Sequence, residues 1–378
     1  MSVPIQTPAA LGYRWPAEWE PQASVWLSWP RNPATWPGYF EPVPAEFAQF
    51  VRLIAEYEPV NILAGGPEIL EQAKSLVGDL KNVTLHDIPT NDSWCRDHGP
   101  TFLSRPLAPQ GPEAPVGVPP GRAIDNVGST VAPVPCGARG LLSALVDWEY
   151  NAWGGKYPPF DLDNQVPRRI AELQGRRVFS PGIILEGGAI EGNGSGAVLT
   201  TESCLLNPNR NPHLSREQVE GYLRDYLGTQ QVLWLTGGEM IGDDTDGHID
   251  QIARFVNETT VVCALCDDPT DDNYGPTQQN FVELQQMSLQ DGRPLEVIPL
   301  RLPRALFCDG QRLPTSYCNF LVVNGAVIVP QFGESADAEA IRTLQPLFPG
   351  RDVRGCPSLN LIWGLGSFHC LSQQEPVG

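Results

Sequence analysis

The sequence predicts an α/β fold, arranged as one domain of repeated units spanning residues 1–378. Three observations predict it. Strand-like and helix-like stretches recur in the order strand, strand, helix, strand, roughly every 50 to 80 residues, as in modules set around a common axis. No stretch has the composition of a linker that would divide the chain. The 37 glycines and 38 prolines exceed ordinary usage, which predicts short elements and many loops.

The elements follow from spacing. Residues 24–29 (SVWLSW) read as a strand. Residues 45–56 carry Phe47, Phe50, Val51, Ile54 and Ala55 at helical intervals. Val60–Leu63 reads as a strand, Gly65-Gly66 as a turn, and Pro67 as the first residue of a helix running to Leu80. Val83–Leu85 is the next strand. Residues 104–139 are dense in proline and glycine and predict a long irregular loop. A helix over 163–174 turns Val166, Ile170 and Leu173 inward. Residues 197–201 form a strand, followed by the apolar piece Cys204-Leu205-Leu206. Ser215 and Gln218 have the spacing of a capping box opening a helix, and 231–235 is a strand. Strands are expected over 249–256 and 260–265, a helix over 276–290 and a strand over 295–300. Asn324-Gly325 joins 320–323 to 326–329 as a hairpin with a type I′ turn. A helix at 336–348 and a strand near 351–353 complete the series.

Charge narrows the partners. Lys plus Arg number 25 against 44 Asp plus Glu, a formal charge of -19. This argues against nucleic acid or an anionic membrane as partner and is compatible with a cationic substrate. No apolar run reaches transmembrane length. The N-terminus lacks the basic and apolar regions of a signal peptide. Nine cysteines in no paired framework fit reduced thiols in the cytoplasm. A homo-oligomer is compatible with all of this, and nothing in the chain fixes the oligomeric state.

Chemistry-bearing residues gather in four clusters beside expected strands: Asn91–Pro100, Glu186-Gly187-Gly188, Asp243–Asp250 and Gly364–Cys370. The third packs four carboxylates and one of five histidines into eight residues. On a strand, His248 and Asp250 would share one face. A histidine beside carboxylates suits proton transfer, because its pKa lies near neutrality; a solvated acidic turn is the plainer reading of such an octamer. Trp94 and Asp97 offer an aromatic face and a carboxylate, which suit a planar cation; alternatively Trp94 is core and Asp97 pairs with Arg96. Cys370 follows a glycine-flexed loop with no evident core to pack against and is the candidate nucleophile, with His248 rather than the adjacent His369 as its base. A lone cysteine is otherwise a small buried hydrophobe. Cys263 and Cys266 have C-x-x-C spacing but lie in an apolar strand without a second pair. The aspartate runs lack the glycine and glutamate of a calcium loop.

Together these residues resemble the agmatine deiminase family, a Porphyromonas-type branch of the guanidine-modifying superfamily that includes arginine and peptidylarginine deiminases. The resemblance runs from Trp19-Glu20-Pro21 to the end. It rests on NDSWCRDHGPTF (91–102), NAWGGK (151–156), Glu186–Gly188, TTESCLLNPNRNP (200–212), Asp243–Asp250, 319–333 and 364–376. It implies a five-bladed α/β propeller with pseudo-fivefold symmetry. It implies a cysteine hydrolase that converts agmatine to N-carbamoylputrescine and ammonia in putrescine and polyamine biosynthesis. Cys370 would attack the guanidinium carbon, Asp97 and Asp250 would hold its nitrogens, and His248 supported by Glu186 would serve as general acid and then base. Trp94, Asp97, Asp250, Asp244 and Gly366 would bind the substrate, a small cationic guanidine. No metal and no organic cofactor is called for.

The chain departs from the family pattern at Gly364-Leu365-Gly366-Ser367-Phe368-His369, where Gly-Gly-Gly-Asn-Ile-His is usual, and at Cys95, His98 and Gln251. Leu365, Ser367 and Phe368 would border the site. Free or peptidyl arginine therefore stands as an alternative substrate. Transfer of the amidino group to an amine, and non-catalytic sensing of a cation, stand as alternative activities.

Overall fold

The protein is described here by a computed structural model covering residues 6–106 and 141–378. The loop expected at 104–139 lies outside the described residues from 107 onward, whereas residues 104–106 continue the strand Thr101–Pro106.

Among the described residues five small mixed sheets carry one connectivity. The first has the strand order Ser372–Pro376, Gln22–Ser28, Val60–Leu63, Val83–His86. The second is Thr101–Pro106, Leu141–Val146, Arg177–Phe179, and the third Ile190–Gly192, Ala197–Thr201, Gln231–Leu235. The fourth is Ala253–Phe255, Thr260–Leu265, Glu296–Arg301, and the fifth Leu321–Val322, Ala326–Gln331, Asp352–Pro357. Each begins with an antiparallel pair and continues with a parallel one. A parallel pair needs a crossover. The helices Val43–Ala55, Val166–Gln174, Arg216–Leu227, Tyr274–Gln285 and Asp337–Leu344 supply it. The C-terminal strand completes the first sheet by pairing with Gln22–Ser28, so the two ends of the chain close on each other. The apolar faces of helices and sheets form the core, for example Phe47, Phe50, Val51 and Ile54 against Val25, Leu27, Val60 and Ile62.

One feature recurs at each entrance. The first strand of every sheet is preceded by a short helical turn: Cys95–His98, Gly187–Ala189, Ile249–Ile252, Tyr317–Asn319, and the turn in which Leu371 N donates to Ser367 O at 3.0 Å. These turns carry the polar clusters, and several of them pack on one another.

Local expectations met the structure unevenly. Pro67 opens its helix, which ends at Val77, and Ser215 with Gln218 forms the capping box. The strand expected over 249–256 is instead the turn Ile249–Ile252 followed by Ala253–Phe255. Its apolar residues face a packed centre on all sides, so their spacing carried no strand signal. The hairpin at Asn324-Gly325 forms, but neither residue has positive φ, so the turn is not type I′. Tertiary contacts shape it instead: Asn324 Oδ1 accepts from Gln22 N at 2.9 Å, and Asn324 N donates to Glu58 Oε2 at 2.7 Å.

Candidate active site

Three of the turns converge on Gly188. A Cβ built there would lie 2.6 Å from His248 Nδ1, 2.9 Å from Asp97 Oδ1 and 3.1 Å from Asp250 Oδ2. Only glycine leaves room for these three side chains to meet. Its own N–H donates to Asp97 Oδ1 at 2.9 Å, and Trp153 Nε1 donates to Asp97 Oδ2 at 3.0 Å. Asp97 is thereby held by two neutral donors. Burial is the main cause that raises its pKa, to about 6, with the nearby Asp250 and Glu186 adding to it and His248 opposing.

His248 is fully buried with its Nδ1 3.7 Å from Asp97 Oδ1. Neither ring nitrogen has a hydrogen-bond partner among the described residues. Burial alone would lower its pKa, but Asp97, Cys204 and Glu186 outweigh burial and raise it well above the ordinary value. Glu186 accepts from Arg210 Nε at 2.7 Å through Oε1, while Oε2 is unpaired. The donor atoms of Glu186, Cys204 and His248 lie within 4.8 Å of one another, as do those of Glu18, Glu191 and His369. Arg210 already neutralises the first group and Arg254 bonds both glutamates of the second, so neither set needs a cation for charge balance.

Cys370 is buried among apolar side chains, contrary to the expectation that no core surrounds it. Its Sγ lies 3.0 Å from Asn319 Nδ2, 3.6 Å from Asp250 Oδ2 and 3.8 Å from Gln251 Nε2. Burial, Asp250 and Asp97 push its thiol well above the ordinary range, and the Asn319 N–H works the other way. Asn319 Oδ1 also accepts from Ser367 N at 3.1 Å and Cys370 N at 3.2 Å. Asn319 therefore holds both the loop and the sulfur. Sequence reasoning gave it no role; its place at the fifth entrance was the available signal.

Sequence reasoning also set His369 aside. It does not reach the sulfur as a base, yet its Nδ1 bonds Asp250 Oδ2 at 2.7 Å and its Nε2 meets Glu18 Oε2 at 3.1 Å. Asp250 is consequently kept ionised: burial, the largest single influence, opposes this, but His369 together with His248 and Arg254 outweighs it and lowers the pKa. Behind it Arg254 bonds Glu18 and, at 2.9 Å, Glu191.

The cavity above these groups has a volume of about 660 Å³ and is lined by Cys370, Asp97, Trp94, Trp153, Asp244 and Gly366 among others. His248, Glu186 and Asp250 do not line it; they stand behind its floor, fully buried. Gly366 packs directly on the Trp94 ring, which a side chain at 366 would strike. Asp244 accepts from the Tyr157 hydroxyl, and its carbonyl accepts from Lys156 Nζ. The octamer thus divides its acids. Asp243 braces the loop by accepting from Gly247 N at 3.0 Å, Asp246 pairs with Lys156 and Arg210, Asp244 lines the cavity, and Asp250 stands behind the floor beside Cys370 Sγ. Arg96 does not pair with Asp97; it bonds Gln373 and Gln374, each at 2.6 Å. Of the three departures expected at the border only Leu365 lines the cavity. Phe368 stacks on Phe50 at 4.3 Å, and Ser367 Oγ bonds Ser358 Oγ at 2.7 Å.

Comparison with known proteins agrees over the whole chain. It is 38% identical to the agmatine deiminase of Pseudomonas aeruginosa, covering 100% of this chain and 99% of that one. It superposes on the agmatine deiminase of Enterococcus faecalis with a TM-score of 0.84 at 31% identity, covering 99% of each chain. The C. jejuni agmatine deiminase with substrate bound gives a TM-score of 0.81 at 29% identity, covering 97% of each. The profile of the Porphyromonas-type peptidyl-arginine deiminases matches residues 14–376, and the chain belongs to that family.

Proposed function

We propose that this protein is an agmatine deiminase, a hydrolase of the guanidine C–N bond. The observation that carries the reading is the meeting of Asp97, Asp250 and His248 at Gly188, with Cys370 Sγ 3.6 Å from Asp250. Two carboxylates beside a thiol raise its pKa in the free protein; a guanidinium between them removes that penalty and favours the thiolate, the thiol proton passing to solvent as the substrate binds. The thiolate then adds to the guanidinium carbon. His248, protonated at neutral pH by its acidic surroundings, gives its proton to the departing nitrogen, and ammonia leaves. Cys370 is left as a thiouronium. Neutral His248 takes a proton from water, the hydroxide adds to the same carbon, and collapse breaks the C–S bond; the new hydroxyl gives its proton to solvent, and the ureido product and the thiolate are released. Glu186 stabilises the charged imidazole, and Trp94, Asp244 and Gly366 shape the substrate's path.

Agmatine rather than arginine is supported by the cavity's charges. Asp92 and Asp244 line it, together with Asp163, whose pKa burial pushes up to about 8, leaving it without charge at neutral pH. Of the cations there, Arg31 bonds Gly65 O at 3.0 Å and Lys156 is tied to Asp246 at 2.8 Å. An α-carboxylate would meet acids. The same reading takes the whole chain as one domain in which the five sheets are propeller blades, supported by their shared connectivity and the closure of the first sheet. Among the described residues no helix is long and apolar enough to cross a membrane, and the eight described cysteines are free, which supports a cytoplasmic setting. The test is ammonia release without an added amine from agmatine, arginine and an arginine peptide. Selective turnover of agmatine, lost in Cys370→Ala, is expected. Turnover only with an acceptor amine, or full activity in Cys370→Ala, would overturn it.

A further inference from the structure

We propose that Leu365 is a specificity-determining residue, the apolar wall on which the methylene spacer of the guanidine substrate lies. The inference rests on the agmatine reading and adds to it. Leu365 has φ 70° and ψ 16°, left-handed values that a side-chain-bearing residue adopts only at a cost relative to glycine. Both its neighbours are glycines, so the loop tolerates glycine on either side and yet carries leucine between them. Two of the other non-glycine residues with positive φ, Ala152 and Trp153, also line the cavity, and Trp153 donates to Asp97. Three of the five such residues among the described ones, Leu365 included, therefore stand at the cavity wall.

Leu365 lines that cavity with Trp94, Trp363 and Cys370, five residues before the nucleophile. Leu162 is the other leucine of the lining, which otherwise includes aromatic, acidic, proline and neutral polar residues. An alkyl chain leaving a guanidinium held at Cys370 needs an uncharged, apolar surface, and Leu365 offers one in the same cavity as Trp94. Leu365 is half-buried and packs against one of the hydrophobic core clusters, which fixes that surface in place.

Removing the side chain uncovers about two methylenes of the spacer, which corresponds to roughly a ten-fold loss of affinity. The spacer is bound equally in ground and transition states, so the loss falls on KM. The experiment measures kcat and KM for the wild type, Leu365→Gly and Leu365→Ala. The substrates are agmatine and its homologues one methylene shorter and longer, with melting temperatures recorded alongside. Expected are a KM for agmatine raised about ten-fold in Leu365→Gly and less in Leu365→Ala, kcat within about two-fold, and a flattened preference between agmatine and the longer homologue. Unchanged ratios across the homologues in both variants would overturn the inference while leaving agmatine deimination standing. A wild type that releases ammonia from none of the three would overturn the agmatine reading, and this inference with it.

Discussion

Replacing Asn319 tests whether the sulfur is tuned by its neighbour or only packed beside it. Asn319→Ala removes the donor 3.0 Å from Cys370 Sγ and the acceptor shared by Ser367 N and Cys370 N. A hydrogen bond to an ionised group contributes roughly 1.5–3 kcal/mol, so the thiolate loses about ten- to a hundred-fold in population. The two stranded backbone N–H groups cost about 1–3 kcal/mol each in stability. That is serious against a typical total of roughly 5–15 kcal/mol, but it leaves a folded protein. Asn319→Asp separates the two effects, since it keeps an oxygen for both N–H groups while exchanging the donor for a carboxyl. The assay is the pH dependence of Cys370 alkylation by a neutral haloacetamide, corrected with Cys370→Ala, beside kcat/KM for agmatine and a melting curve. The expected result is a thiol titrating at higher pH in both variants, with the melting temperature lowered mainly in Asn319→Ala. An unchanged alkylation profile in both would refute the tuning and leave Asn319 as a brace for the loop.

Three further outcomes are expected. Gly188→Ala forces a methyl to 2.6 Å from His248 Nδ1; kcat/KM should fall by about a hundred-fold or more because the reacting groups are displaced, and unaltered kinetics would remove the convergence from the mechanism. Asp97 has its pKa raised to about 6 and must be ionised to hold a guanidinium, so kcat/KM should decline as pH drops through about 6. Its raised pKa favours the neutral form in the fold, so this group costs stability as pH rises from about 4 through 6; an acid limb below pH 5 would contradict the assignment. Arg254→Met leaves Glu18 and Glu191 buried without their partner, and urea titration should show a loss of about 3–5 kcal/mol.

The alternation of strand and helix was legible because most of the crossover helices have one apolar stripe, although Tyr274–Gln285 buries Thr277 and Asn280 beside Leu284. The turns that carry the chemistry were not. Residues 249–252 (Ile-Asp-Gln-Ile) are buried on every side, so no polar face exists to reveal a helical period. Asn324-Gly325 carried a strong local turn signal, yet Gln22 and Glu58 shape that turn from about 300 and 266 residues away. Cys370, His248, Asp97 and Asp250, the proposed reacting groups, stood out because they lie in polar or glycine-rich clusters beside apolar runs. Asn319 and His369 did not, because their roles are made by contacts between different turns.

That arrangement explains how a protein can bury so many acids. Asp97 and Asp250 sit at the entrances of different sheets, and neither is neutralised by a basic residue of its own turn. Arg96, adjacent to Asp97, is drawn off to Gln373 and Gln374. Arg254, four residues after Asp250, serves Glu18 and Glu191. Asp250 is held ionised from behind by His369, while Asp97 is left with neutral donors and a raised pKa. One carboxylate is thus fixed and the other is incompletely charge-balanced. A planar cation arriving between them completes the pair, and the same charge lowers the barrier to ionising Cys370. Apart from His248, whose proton the reaction uses, the fold withholds internal cations from the place where the substrate supplies one.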